Sequence, residues 1–328
     1  MTSIPARTFR LSLSTVLGSA LASGIAFAAS ADIITVCPDG SCNFTNPVAA
    51  IAAAVSGDTI EIAAGTYTLA STIDLVGKQL VIRGAVDAAG NPATVLSGGG
   101  TRQVFNLAVL TPSTSIENLV ITNGRANYGG AINLYGANPV FRNCAFRDNR
   151  ARYKGGVMFL NDSSPTLIDC ELTANVVRDD GGGPAEAGGA VFVGTGTLTL
   201  EGCTLSGNTS DHYGGAIYLS SAGIVTLSST RICGNTAPIS PQVGFNPGGV
   251  VNELAGACIA SSCDDCPPAQ PCPADLDGDG AVGAADLSGL LAAWGGCPKK
   301  GCAADLDGDG SVGSADLAIL LGAWGGCD

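Results

Sequence analysis

A short pattern recurs along the middle of the chain. Gly129-Gly130-Ala131-Ile132, Gly155-Gly156-Val157-Met158, Gly188-Gly189-Ala190-Val191 and Gly214-Gly215-Ala216-Ile217 lie 26, 33 and 26 residues apart. Each is followed by a second apolar run and then by a segment ending in asparagine. Those asparagines are Asn149, Asn175, Asn208 and Asn235, with Asn123 upstream, spaced 26, 26, 33 and 27. A period of about 20–50 residues means stacked supersecondary units that bury their apolar sides against one another. The runs, such as Thr197-Leu198-Thr199-Leu200, are alternating or β-branched and too short for helices. Gly, Asn and Asp separate them, as turns require. The expected fold is therefore mainly β: a parallel β-helix in which each unit is one coil. In this register Cys144, Cys170 and Cys203 form an inward column, five residues before their asparagines, and Asn118 and Thr230 take the same place in the flanking coils.

The N-terminal part fits the same solenoid. Asn46-Pro47 followed by Val48 to Val55 reads as a short capped helix with proline at its first position. Such a helix suits the open end of a solenoid, which needs a cover. Gly57-Asp58-Thr59-Ile60 and Ala64-Gly65-Thr66-Tyr67 then give strand, turn, strand. Helix, Gly-Asp-Thr-Ile and Ala-Gly-Thr-Tyr together resemble the start of right-handed β-helix proteins of the pectate-lyase-like superfamily. The alternating Gly-Gly-Ala-Ile and Phe-x-x-Asn motifs resemble the repeats of polymorphic outer-membrane proteins. The resemblance spans roughly residues 32–255 and implies the fold. It leaves activity open, because the fold hosts lyases, hydrolases and adhesins.

The first 28 residues read as a signal peptide. Arg7 and Arg10 precede a mostly apolar run from Leu11 to Ile25, and Ala26-Phe27-Ala28 fits the small-x-small cleavage pattern. The mature chain is expected to begin near Ala29 and to be secreted or extracytoplasmic, with no membrane span. The sequence carries a net charge of −13, which repels phosphate backbones and argues against a nucleic-acid partner. Its thirteen cysteines suggest disulfides in an oxidising compartment.

Composition changes after residue 257. Residues 29–257 are assigned to the β-helix and the Cys- and Pro-rich stretch 258–271 to a linker. A second repeat fills 272–328. Asp275-Leu276-Asp277-Gly278-Asp279-Gly280 recurs thirty residues later as Asp305-Leu306-Asp307-Gly308-Asp309-Gly310, with Asp286 and Asp316 at loop position twelve. Carboxylates at positions one, three and five converge on a hard cation when the chain curls around it. Glycine at six permits the turn, and position seven, Ala281 or Ser311, offers its carbonyl. Two Ca²⁺ ions are expected. Leu287, Leu290, Leu291 and Trp294 form a helical stripe after the first loop, repeated as Leu317, Leu320, Leu321 and Trp324, and are read first as the core of a small module.

A loop followed by one helix, duplicated, with Asp at position twelve, resembles a dockerin module. That resemblance implies a cohesin-like or other protein partner. Cys272 and Cys297 bracket one repeat and Cys302 and Cys327 the other. This resembles a cysteine-bracketed dockerin type and implies bridges within each repeat, although four cysteines allow three pairings.

No catalytic signature stands out. The seven extra residues that lengthen one coil carry Arg178, Asp179, Asp180 and Glu186. These are the weak catalytic candidates, and they read equally as a solvated turn. Asp162, Asp169, Glu171 and Glu201 lie on or beside strands and could line or solvate a face. His212 is the only histidine and reads as a surface turn residue. Tyr128, Tyr153, Phe159, Tyr213 and Tyr218 lie near the glycine pairs, suited either to packing or to stacking on sugar rings. Three functions remain open: a β-helix that binds polysaccharide or another surface and is anchored through the calcium module; a polysaccharide lyase or glycoside hydrolase; and a surface adhesin with a calcium-stabilised cap.

Overall fold

The computed structural model describes residues 31–179, 188–254, 256–266, 274–277, 281–296, 303–307 and 309–326. The signal-peptide assignment falls outside the described residues. The β region is a parallel solenoid with three long faces and one short one. The third face is a continuous parallel sheet of eight strands, from Gly65–Thr68 to Cys258–Ala260. The first face follows the glycine pairs and the second follows it around a corner. Val191–Glu201 and Ile217–Ser228 run through that corner, so the two faces share one sheet. A fourth, short face joins Arg125–Tyr128, Arg150–Lys154, Val176–Val177 and Thr209–Ser210.

The core is a set of columns, because strands pair in register from coil to coil. On the first face Phe105, Ile132, Met158, Val191 and Ile217 stack in register, all without solvent exposure. On the third face Ile121, Phe146, Leu172, Leu205 and Ile232 do the same. Each fully buried side chain of this size contributes roughly 1.5–3 kcal/mol relative to exposure. At the N-terminal end, α1 (Pro47–Ala53) is capped by the Asn46 side chain, which accepts from the Val48 N–H at 2.8 Å, and it buries Ala50 and Ile51. Asp58 of the Gly-Asp-Thr-Ile motif is buried and accepts backbone N–H groups from Asp32 and Val55. No helix among the described residues is long and apolar enough to cross a membrane.

The repeated asparagines form a buried ladder. Asn149 donates its backbone N–H and its Nδ2 to Asn175 Oδ1, both at 3.0 Å. Asn175 makes the same two bonds to Asn208, and Asn208 to Asn235. Each Nδ2 also donates to a carbonyl inside the coil: Ile121, Phe146, Leu172 or Leu205. The amide is thus saturated while it satisfies a backbone N–H beyond the strand end and gives a strand carbonyl of the preceding coil a further donor.

Two expected registers shift by one residue. Asn123 is exposed and its φ is 52°; the place below Asn149 belongs to Gly124, whose N–H donates to Asn149 Oδ1. Likewise Asn118 is outside the cysteine column. Its partner is Asn143, and Leu119 occupies the column, because Val120 pairs with Ala145. Cys144, Cys170, Cys203 and Thr230 stack as expected. The three thiols are buried and free of disulfides, and each donates to a backbone carbonyl, those of Arg142, Ile168 and Glu201 among them. Burial pushes the Cys170 thiol well up.

Pairing continues past residue 257. Cys258–Ala260 pairs with Arg231–Cys233, and disulfides Cys233–Cys263 and Cys258–Cys266 fasten this stretch to the coil. A third disulfide, Cys37–Cys42, closes a short loop near the other end.

The turns between the second and third faces hold Asn118, Asn143, Asp169, Gly202 and Ser229 at positive φ, 45–61°. Asp169 is pushed up to about 6 by burial of its carboxyl, then by the charges of Asp275 and Glu201, against the pull of Arg142. A folded-state value raised above the unfolded 3.8 means that ionisation opposes folding. Stability should fall as pH rises from about 4 to about 6 and then level off, in proportion to the Asp169 share. Asp169→Asn keeps a residue tolerant of positive φ. It should raise the midpoint of thermal unfolding at pH 7.5 and leave it unchanged at pH 3.5, measured by circular dichroism. Asn175→Ala removes one rung of the ladder and leaves the Asn149 N–H buried without its partner. Urea unfolding should show a loss of about 1–3 kcal/mol, the desolvation penalty of that group.

Candidate functional site

The C-terminal repeats fold into one interlocked unit. α2 (Ala284–Ala292) follows the first acidic loop and α3 (Ser314–Gly322) the second. Ala281–Val282 pairs antiparallel with Gly325–Gly326, and Gly295–Gly296 with Ser311–Val312, so each repeat supplies a strand to the other. The buried core is likewise duplicated: Ala274, Val282 and Leu290 from one repeat, Ala304, Val312 and Leu320 from the other, flanked by Leu276, Leu287, Leu306 and Leu317.

In the first loop the carboxylate oxygens of Asp275, Asp277 and Asp286 lie within 4.8 Å of one another; in the second, those of Asp305, Asp307 and Asp309 do. Asp279 falls outside the described residues. Asp305 Oδ1 is buried with no hydrogen-bond partner, while its Oδ2 accepts from the Gly310 N–H at 3.0 Å. An orphaned carboxylate oxygen among three crowded carboxylates is costly unless a cation meets it. An all-oxygen donor set suits a hard divalent ion. The residues therefore fit such an ion. Ala281 and Ser311 open the two short strands, with the Ser311 hydroxyl donating to Asp309 Oδ1 at 2.7 Å.

Position twelve has a second task that the sequence did not disclose. Asp286 is buried and accepts from the N–H groups of Gly283, Leu276 and Asp277 at 2.7, 2.6 and 3.1 Å. Asp316 does the same with Gly313, Leu306 and Asp307. Each carboxylate ties the start of its loop to the start of the following helix. Opposed by burial, these bonds hold Asp286 below the usual carboxylate range; the Gly313 N–H leads the lowering of Asp316. A shorter side chain than Glu is what this geometry needs.

The stripe is only partly core. Leu290 and Leu320 are fully buried, but Leu291, Trp294, Leu321 and Trp324 are each about half exposed, at 49–51 %. The same positions of both repeats thus present leucine and tryptophan to solvent. The four bracketing cysteines, Cys272, Cys297, Cys302 and Cys327, fall outside the described residues, and so does their pairing.

On the solenoid, Arg178 is exposed and Asp179 lies 3.5 Å from Arg152 Nε. Asp180 and Glu186 fall outside the described residues. Asp169 and Glu171 line a cleft of about 430 Å³ together with Asn143 and Arg147. Arg147 pairs with Glu171 at 3.0 Å. Asp162 sits in an exposed turn, accepting from Thr195 Oγ1 at 2.8 Å, and Glu201 ends a strand one coil from Asp169. His212 is exposed. Tyr128 and Tyr213 are also exposed, whereas Tyr218 is buried at the end of a row in which it follows Phe159 and Phe192, rings 5.4 and 5.9 Å apart.

No curated protein matches this chain. Among solved structures it is similar to the crystal structure of pectate lyase Pel9A, with a TM-score of 0.42 and 15% identity, over 77% of this chain and 85% of that one. The family described as right handed beta helix region matches residues 96–263, the stretch that holds the stacked coils and the asparagine ladder. The chain belongs to this right-handed β-helix family.

Proposed function

We propose that this is an exported β-helix protein whose solenoid meets polysaccharide or another surface and which is anchored to a partner protein, cohesin-like or of another kind, by a calcium-dependent dockerin-like module. The observation that carries the anchoring is the pair of carboxylate clusters, one with a buried orphan oxygen, each followed by a helix with a half-exposed Leu and Trp. Calcium offsets the repulsion within each loop, which lets the loop close and the helix dock. Binding and ordering are then linked. The repeated exposed residues supply an apolar surface of the kind that protein partners cover.

A second reading, a polysaccharide lyase or glycoside hydrolase, is favoured by the cleft with Asp169 and Glu171. A carboxyl raised to about 6 beside another carboxylate is the pairing that acid–base work on glycosides uses. It shifts the candidate from the 178–186 insert to the turn between the second and third faces of the same coil. Release of reducing ends or unsaturated products from uronate or neutral glycans, lost in Asp169→Asn, supports the enzyme; a screen without product leaves the binding protein.

Calorimetry of the full chain should show two calcium ions, and chelation should reduce helix content. Asp305→Asn with Asp307→Asn should leave one ion. No binding at about 1 mM calcium, the weak end for extracellular modules, overturns the proposal. Trp294→Ala with Trp324→Ala should cost less than about 1 kcal/mol in stability, as half-exposed positions do, and should abolish capture of the partner in a calcium-dependent pull-down. Calcium binding that raises the unfolding midpoint with no partner captured supports instead an adhesin with a calcium-stabilised cap.

A further inference from the structure

The short fourth face is positively charged in an acidic chain. Its strands hold Arg125, Arg150, Arg152 and Lys154 and no carboxylate, although acids outnumber Lys and Arg by 28 to 15 overall. Arg125 and Arg150 occupy in-register positions of neighbouring coils. The strand that follows turns its buried Ala151 inward, which puts Arg150 and Arg152 on the outer side by the two-residue alternation of a strand. The pairing slips after Ala126, so that Arg152 and Tyr153 together face Asn127. A bulge of this kind re-aims side chains. Arg125, Arg150 and Arg152 thereby converge on one open cleft of about 550 Å³, completed by Thr101, Ala126 and Asn127. Asp179 approaches Arg152 from the turn beyond, at 3.5 Å.

Aromatic rings lie on the neighbouring surface, outside the lining of the cleft. Tyr128 is 41% exposed; its ring lies 5.6 Å from Tyr153 and 5.4 Å from Phe159. The Arg152 guanidinium lies 4.9 Å from the centre of the Tyr153 ring. Guanidinium groups bind carboxylate or sulfate through paired hydrogen bonds, and exposed tyrosine offers a flat apolar face with a polar tip. Arg125 and Arg150 sit on adjacent coils about 4.8 Å apart, and the next positions in register are Val176 and Thr209.

We infer that this cleft binds an anionic polysaccharide strand, with its carboxylate or sulfate groups on Arg125, Arg150 and Arg152. The inference names the ligand class for the polysaccharide-binding reading and rests on it. The net charge of −13 opposes every polyanion alike at long range, so single-stranded DNA enters the test as the competing ligand.

Affinity electrophoresis of the full chain in gels carrying polygalacturonate, dextran sulfate or unmodified dextran tests this. Retardation by one or both polyanions and not by dextran is expected, and the effective polyanion identifies carboxylate or sulfate as the preferred group. Arg125→Ala and Arg150→Ala should each weaken retention at least about tenfold, the loss of a charge-assisted hydrogen bond. Arg125→Gln, an exposed and milder change, serves if either alanine variant fails to fold. Retention undiminished in the variants, or equal retardation by single-stranded DNA, overturns the inference. Retardation by dextran alone overturns it while leaving the polysaccharide-binding reading standing; retardation by no glycan removes both.

Discussion

Strand hydrogen bonds hold successive coils about 4.8 Å apart, and the rest of the solenoid follows from that spacing. Where two turns cross, backbone lies directly over backbone. A Cβ on Gly156 would sit 2.1 Å from the Gly189 carbonyl oxygen, and one on Gly189 would sit 2.0 Å from that of Gly215. The second glycine of each pair is therefore a requirement of contact between coils, and the first supplies the left-handed turn, with φ of 62° at Gly155. At the opposite need, where the backbone leaves the strand and its polar groups stay buried, an asparagine fills the gap. Its amide oxygen accepts from the preceding coil, and its Nδ2 donates both to the next asparagine and to a carbonyl of the preceding coil.

The same spacing explains what the sequence discloses and what it hides. A residue that contacts its own counterpart one coil away must recur, so the glycine pairs, the asparagines and the cysteine column are readable as a period. The period does not reveal where one coil is a residue shorter. Asn123 shares the asparagine pattern, yet it takes the left-handed turn place of Asp148, at φ 52° and 56°, and Gly124 takes the interior place. Both residues tolerate positive φ, so identity alone could not decide the register. The column of turn residues at Asn118, Asn143 and Asp169 was hidden for a similar reason: it is chemically mixed, held together by backbone conformation.

In the C-terminal unit, spacing sufficed for the loops because each carboxylate lies within twelve residues of the others. The division of the leucine and tryptophan stripe did not follow from spacing. A helix of nine residues has room for one buried leucine facing its twin, and a stripe wider than that contact must come out into solvent. The way Asp286 and Asp316 tie loop to helix was equally unreadable, since it depends on three N–H groups converging through a fold that the two repeats build together. The arginine cleft spans coils and arises from a one-residue slip, which no local motif marks.

The 33-residue coil shows why the solenoid can carry function without displaying it in its repeat. The ladder bonds across that longer coil, Asn175 to Asn208, measure 3.0 and 2.9 Å, against 3.0 and 3.0 Å across the 26-residue coil from Asn149 to Asn175. Strand pairing resumes in register on both sides, Val176 with Thr209 and Met158 with Val191. The stack is therefore the same across 33 residues as across 26, and the entropy of a longer connection grows only as the logarithm of its length. A change in the columns meets a neighbour at van der Waals distance. A change in the turns meets little beyond the backbone conformation they must hold. Charge and aromatic surface accumulate where the constraint is weakest, at the fourth face and the turns beside it. A chemistry placed there varies independently of the period by which the fold is read.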